Sequence, residues 1–134
     1  MEKVVNQHVY SGASWEKQVA YSRARRVGDL IWVAGTTAVD DAGKVVGPGD
    51  MATQTRFVFR KIERALQQCG ASLRDVVRTR MFVTRMSEFP AVASAHHEMF
   101  EGVDPVATCV EIAGLVNPEL LIEVEVDAIV QFRS

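Results

Sequence analysis

The sequence predicts one domain built on a single mixed β-sheet, with two helices covering one of its faces. Three observations lead there. Runs toward both ends of the chain alternate apolar and polar residues with strand periodicity. Two internal stretches carry apolar residues at helical spacing. Gly, Pro, Asn and Asp punctuate the places where each pattern stops. The 134 residues fit one domain spanning 1–134. A chain of that size buries roughly two-thirds of its unfolded surface, enough for a core without staples.

In chain order, residues 4–9 are expected as a short strand and 12–15 as a loop. Residues 21–27 read as a strand, turned at Gly28-Asp29 into a second one at 30–34, a hairpin signal. Gly35-Thr36-Thr37 is expected to end that strand, and DDAGKVVGPGD at 40–50 to form a loop. Asp50 is a suitable N-cap for a helix over 51–69, in which Val58, Ile62, Ala65, Leu66 and Cys69 recur at helical spacing before Gly70. DVVRTRMFVT at 75–84 is β-rich and of strand length. Ser87 can cap a second helix running to Phe100, with Phe89, Val92, Ala93, His96 and Phe100 on one face. Pro90 is tolerated in its first turn, where the missing N–H would have no partner.

The stretch 104–132 holds two more strands. Val106, Thr108, Val110 and Ile112 alternate with Ala107, Cys109, Glu111 and Ala113. Ile122, Val124, Val126 and Ala128 alternate with Glu123, Glu125 and Asp127, and Asn117-Pro118 marks the turn between. The three carboxylates share one face, which therefore meets water or cationic partners. If both helices cover the other face, oligomerisation through the open one is the simple way to bury it.

Composition excludes several functions. Hydrophobic residues are 48% and charged residues 24%, with a net charge of −2. Nothing there draws the chain to nucleic acid or to an anionic membrane. The one basic cluster, Arg23, Arg25 and Arg26, reads as surface or subunit contact. No apolar run spans a bilayer and the first residues carry no signal-peptide core. Cys69 and Cys109 sit in no metal or redox spacing, so free thiols and a cytoplasmic location are expected. His96 and His97 point about 100° apart on a helix, HExxH is absent, and no metal is expected. Trp15 and Trp32 read as core or interface aromatics.

Five pieces together are similar to one family: Tyr21 with Gly28 seven residues on, VAGTTA at 33–38, QT and FVFRKIERAL in the first long helix, GASLRDVVRTRMFVT, and PVATCVEIAGL followed by IEVEV. With their order and spacing, the chain resembles the reactive-intermediate deaminases of the RidA/YjgF type, also called L-PSP endoribonucleases. The resemblance covers nearly the whole chain. It implies a chorismate-mutase-like α+β fold and a homotrimer around a central β-barrel, with small-molecule pockets at the subunit interfaces and no cofactor. The activity it implies is hydrolysis of imines and enamines to keto acids and ammonia.

Carried over residue by residue, the resemblance puts the pocket tyrosine at Tyr21, the glycine at Gly35, the cysteine at Cys109 and the water-supporting glutamate at Glu123, with one residue inserted in the preceding turn. The arginine that holds the substrate carboxylate falls on Ala107, and a pocket asparagine on Ala93. A guanidinium binds a carboxylate bidentately and with charge assistance. Alanine does neither, which points away from a simple 2-imino acid as substrate. Arg23, Arg78 and Arg80 are candidate substitutes. The structural alternatives are a subunit contact for Arg23, an ion pair with the acidic row for Arg80, a solvated strand carboxylate for Glu123 and a small buried hydrophobe for Cys109. Two functional classes stay open: an imine or enamine hydrolase, and a non-catalytic trimeric module that senses or carries a metabolite. A ribonuclease is disfavoured by the charge and by the lack of an aromatic-basic stripe.

Overall fold

The computed structural model describes residues 4–131; the outermost ends of the expected 1–134 domain, including Phe132, lie outside the described residues. Six strands form one sheet: β1 (Asn6–Val9), β2 (Ala24–Val27), β3 (Leu30–Thr37), β4 (Val76–Val83), β5 (Val106–Glu111) and β6 (Ile122–Ile129). Their order across the sheet is β1-β2-β3-β6-β4-β5, with β4 and β5 parallel and every other pair antiparallel. Three helices accompany them: α1 (Ser14–Val19), α2 (Met51–Gln68) and α3 (Phe89–Phe100). This is the mixed α+β architecture the sequence implied.

Alternation decides which face is covered. Along β6, Ile122, Val124, Val126 and Ala128 are buried while Glu123, Glu125 and Asp127 stay half-buried on the opposite face. The buried set continues through Ile31 and Val33 on β3 and Met81 and Val83 on β4. Against it α2 packs Val58, Phe59, Ile62 and Leu66, and α3 packs Val92 and Phe100. The rings of Phe59 and Phe100 meet edge to face at 5.3 Å between centroids. Burial of this one face is what orders the helices, since helical propensity alone stabilises little in water.

The helix ends follow their local chemistry. Asp50 caps α2 by accepting from the Thr53 N–H at 3.0 Å, and Gly70 takes φ 80° just beyond the end. α3 starts differently from the expectation: Ser87 lies inside a 3₁₀ turn, Met86–Glu88, and Glu88 stands at the N-cap without a side-chain cap. A second 3₁₀ turn, Leu73–Asp75, precedes β4 and is closed by a reciprocal Ser72 and Asp75 capping box. It takes Asp75 out of the strand expected there.

Three further differences lie near the site. The expected loop at 12–15 opens a short helix, α1, held by the Glu16 carboxylate, which is buried and accepts from the Ser11 N–H at 2.9 Å. Six residues are too few for a periodicity signal. The end of α1 then competes with strand pairing. The Glu16 carbonyl takes both the Ala20 and Tyr21 N–H groups, so the expected strand at 21–27 is reduced to Ala24–Val27. Finally, Gly35-Thr36-Thr37 does not end β3. The strand runs on through a register shift between Val33 and Thr36, a bulge that lets it pair with β6 again at Thr36 and Thr37.

Gln54 locks the start of β6 in place. Fully buried on α2, it donates to the Glu119 carbonyl at 2.9 Å and the Gly47 carbonyl at 3.2 Å, and accepts from the Leu121 N–H at 2.8 Å. Gln54→Ala leaves these buried backbone groups without partners. The expected loss is at least about 2 kcal/mol, read from the urea midpoint.

Candidate functional site

The bulge in β3 and the first turn of β6 make the site. Gly35 lies directly under the Glu123 side chain: a Cβ at position 35 would stand 2.9 Å from both Glu123 Cδ and Oε2. A side chain there would push the carboxyl out of the place it now occupies. Arg23 reaches the same place from the segment before β2. Its Nη2 donates to the Gly35 carbonyl at 2.7 Å, its Nε is buried with no partner, and its guanidinium carbon stands 5.8 Å from the Tyr21 ring centroid. Tyr21, Arg23, Gly35 and Glu123 thus line one cavity of about 940 Å³, bounded also by α1, α2 and the 40–45 hairpin.

The electrostatics are uneven. Glu123 makes no hydrogen bond or ion pair within 4 Å among the described residues. Burial pushes its carboxyl above the ordinary value, Arg23 pulls it back and Glu125 adds to the rise. Lys61, on α2, donates to the Thr37 carbonyl at 3.0 Å and the Val39 carbonyl at 2.9 Å. Burial lowers its ammonium pKa, and Arg23 and Arg64 lower it further. Lys61 was missed in the sequence. The only signal was its place one turn from Val58 and from Ala65, at the margin of the apolar stripe.

The other candidates fall elsewhere. Arg80 lies in a separate cleft of the open face, 3.5 Å from Glu125 and 3.3 Å from Asp127, so it is taken up by the acidic row. Ala107 and Cys109 pair with Thr79 and Met81, which places them on the helix-covered side of the sheet, opposite to Glu123. β5 and β6 are also separated by β4, hence about 9–10 Å apart. One chain therefore assembles Tyr21, Arg23, Gly35 and Glu123 and leaves Ala107, Cys109 and the exposed Ala93 apart from them. Burial raises the Cys109 thiol pKa, which opposes a reactive thiolate. His96 is half-buried on the Thr79 hydroxyl at 2.9 Å and His97 is exposed, as their angular separation required. Trp15 and Trp32 are not core residues of the chain; they are 55% and 44% exposed.

Comparison with known proteins agrees with the fold. The family model for endoribonuclease L-PSP matches residues 12–130. The chain belongs to the RidA/YjgF superfamily. A crystal structure of a YjgF/YER057c/UK114 family member from Mycobacterium tuberculosis is 45% identical, covering 94% of this chain and 100% of that one with a TM-score of 0.86. The 3-aminoacrylate deaminase RutC of Acinetobacter baylyi is 35% identical over 104 residues, 78% of this chain and 82% of the relative. A Streptomyces coelicolor protein is 36% identical over 120 residues, 90% of this chain and 89% of its own length. Among the described residues, no helix is long and apolar enough to cross a membrane.

The raised Glu123 pKa has a consequence for stability. The folded state holds this proton more tightly than the unfolded chain, so stability falls as pH rises through the interval between the unfolded and folded pKa values. Glu123→Gln is therefore expected to raise Tm progressively as pH rises above the ordinary carboxyl value, because the native chain alone loses stability there. The difference should vanish below about pH 3.5, where native Glu123 is protonated in both states. Thermal melts of both proteins from pH 3 to pH 7, at fixed protein concentration, check this.

Proposed function

We propose that the chain hydrolyses a reactive imine or enamine to a carbonyl compound and ammonia, with Glu123 as the proton-transferring group. The observation that carries this reading is the Glu123 carboxyl: half-buried, without an ion-pair partner, raised in pKa and facing a cavity. A carboxyl held in that way exchanges protons near neutral pH more readily than a solvated one. The deaminase activity named for the Acinetobacter relative supports the same class.

The chemistry balances on one carboxylate. Glu123 takes a proton from water as the water oxygen bonds to the imine carbon, and returns that proton to the imine nitrogen, giving a carbinolamine. It then takes the hydroxyl proton as the carbon–nitrogen bond breaks and the carbonyl forms. Delivered to the departing nitrogen, that proton completes ammonia. The net change is imine plus water to carbonyl plus ammonia, with Glu123 restored.

The site is completed by a second copy in a homotrimer. Within one chain the open sheet face leaves Leu30, Trp32, Val106, Val110 and Ile129 each at least 40% exposed. The edge strand β5 presents one row of unpaired backbone groups on its free side. Trimerisation covers that face and brings the Ala107 and Cys109 edge of one subunit to the Glu123 cavity of its neighbour. Alanine at 107 supplies no cation there, so the anchoring charge comes from Arg23.

The test generates imines in place with an L-amino-acid oxidase acting on a panel of amino acids, and follows keto-acid release against trapping by semicarbazide. It uses material whose mass by light scattering is three times the 14.8 kDa chain mass. The expected result is acceleration for at least one imine, falling about 10²-fold or more in Glu123→Gln. Equal rates for native chain and variant on every imine would rule out the role of Glu123. Ligand binding with no acceleration at all would instead favour a non-catalytic metabolite-binding module, the class to which the alanines at 93 and 107 lend weight.

A further inference from the structure

Three cations and three acids line the cavity, and they are unevenly paired. Arg64 is engaged by Asp41 at 3.2 Å. Asp40 accepts from the Ala42 and Lys44 N–H groups, each at 2.9 Å, and is spent on its own turn. Lys61 and Arg23 hold only neutral carbonyls. Arg23 keeps Nη1 without a protein partner among the described residues, and its Nε is an unpaired buried donor. The floor of the cavity therefore has two cations beside Glu123 that make no ion-pair contact among the described residues, and Arg23 keeps donors to spare.

The mouth is apolar, and the reason lies in α1. Its one buried residue is the acidic Glu16, while Trp15 and Val19 are 55% and 62% exposed. A helix normally buries its apolar side and shows its acids to water. Here the arrangement is inverted, and Trp15 and Val19, one turn apart, line the cavity. Tyr10 and Val116, 61% and 75% exposed, line it as well. Two aromatic and two valine side chains around a floor with an uncommitted guanidinium suit a molecule with an anionic head and an apolar body.

We infer that the cavity takes carboxylates with a bulky apolar or aromatic side chain, the carboxylate held by Arg23 and the side chain against Trp15 and Val19. The Arg23 guanidinium thereby replaces, from a different element, the cation that Ala107 cannot provide. The inference rests on reading this cavity as the substrate site, and it narrows that site to 2-imino acids with large apolar side chains.

Titration calorimetry with pyruvate and phenylpyruvate, stable oxo counterparts of a small and an aromatic 2-imino acid, tests binding without turnover. Phenylpyruvate is expected to bind about tenfold or more tighter than pyruvate. Trp15→Ala should abolish most of that preference by weakening phenylpyruvate far more than pyruvate. Arg23→Met should weaken both ligands about tenfold or more. Arg23→Lys, which keeps the charge and loses the fork, should fall between and guards against a folding defect in the methionine variant. Equal affinity for the two oxo acids would overturn the inference. So would unchanged phenylpyruvate binding in both Arg23 variants, or a Trp15→Ala change that alters only the oligomer mass. Imine hydrolysis that survives any of these results would leave the proposed reaction standing without this substrate class.

Discussion

The contact between Gly35 and Glu123 is the constraint on which the rest of the site depends. The Glu123 carboxyl can lie half-withdrawn from water only because position 35 has no side chain. It reaches that position because β3 bulges between Val33 and Thr36 and resumes pairing with β6 beyond the irregularity. The Gly35 carbonyl, inside the irregular stretch, accepts from the Arg23 guanidinium at 2.7 Å. One backbone irregularity therefore brings a carboxyl and a guanidinium to one cavity without joining them in an ion pair. Had they paired, the Glu123 proton would be lost at low pH and the carboxyl would be a poor proton carrier.

The arginines divide the open face into two regions of different use. Arg80 sits between Glu125 and Asp127 and balances them, each partner roughly one-third exposed, which is the ordinary fate of a cation opposite an acidic row. Among the described residues Arg23 has no acid within pairing distance, and it leaves donor groups over. The difference comes from register. Arg80 pairs across to Glu125 in the β4–β6 ladder, whereas Arg23 precedes β2 and is aimed by the end of α1, where Glu16 turns the chain at Ala20 with φ 70°. A cation placed in this way is available to a ligand.

Much of this was legible from residues alone, and the failures have physical causes. The period-two alternation of β6 and the helical stripe of α2 were clear because each spans enough residues for its period to show. The shared face of Glu123, Glu125 and Asp127 followed from the same alternation. The pairing of Arg80 with that row was one of two readings, and geometry chose between them. α1 was invisible because six residues held by a buried glutamate carry no periodicity. Gly35 looked like a strand end because a glycine in a strand can mark either a stop or a bulge, and only the partner strand decides. The separation of Ala107 and Cys109 from Glu123 was hidden because parity places residues on faces only once the strand order is known.

The central claim is that Glu123 is an unpaired, proton-holding carboxyl whose charge is moderated by Arg23. Carbon-13 NMR titration of the Glu123 side-chain carboxyl, in the native chain and in Arg23→Met, addresses it directly. The account predicts a native midpoint above the ordinary value of 4.5 and a higher one still in the variant, because removing the guanidinium removes the one influence that lowers it. A native midpoint at or below 4.5, or one unmoved by Arg23→Met, would mean that Glu123 is a solvated strand carboxylate and that the cavity has no proton-transferring group of this kind.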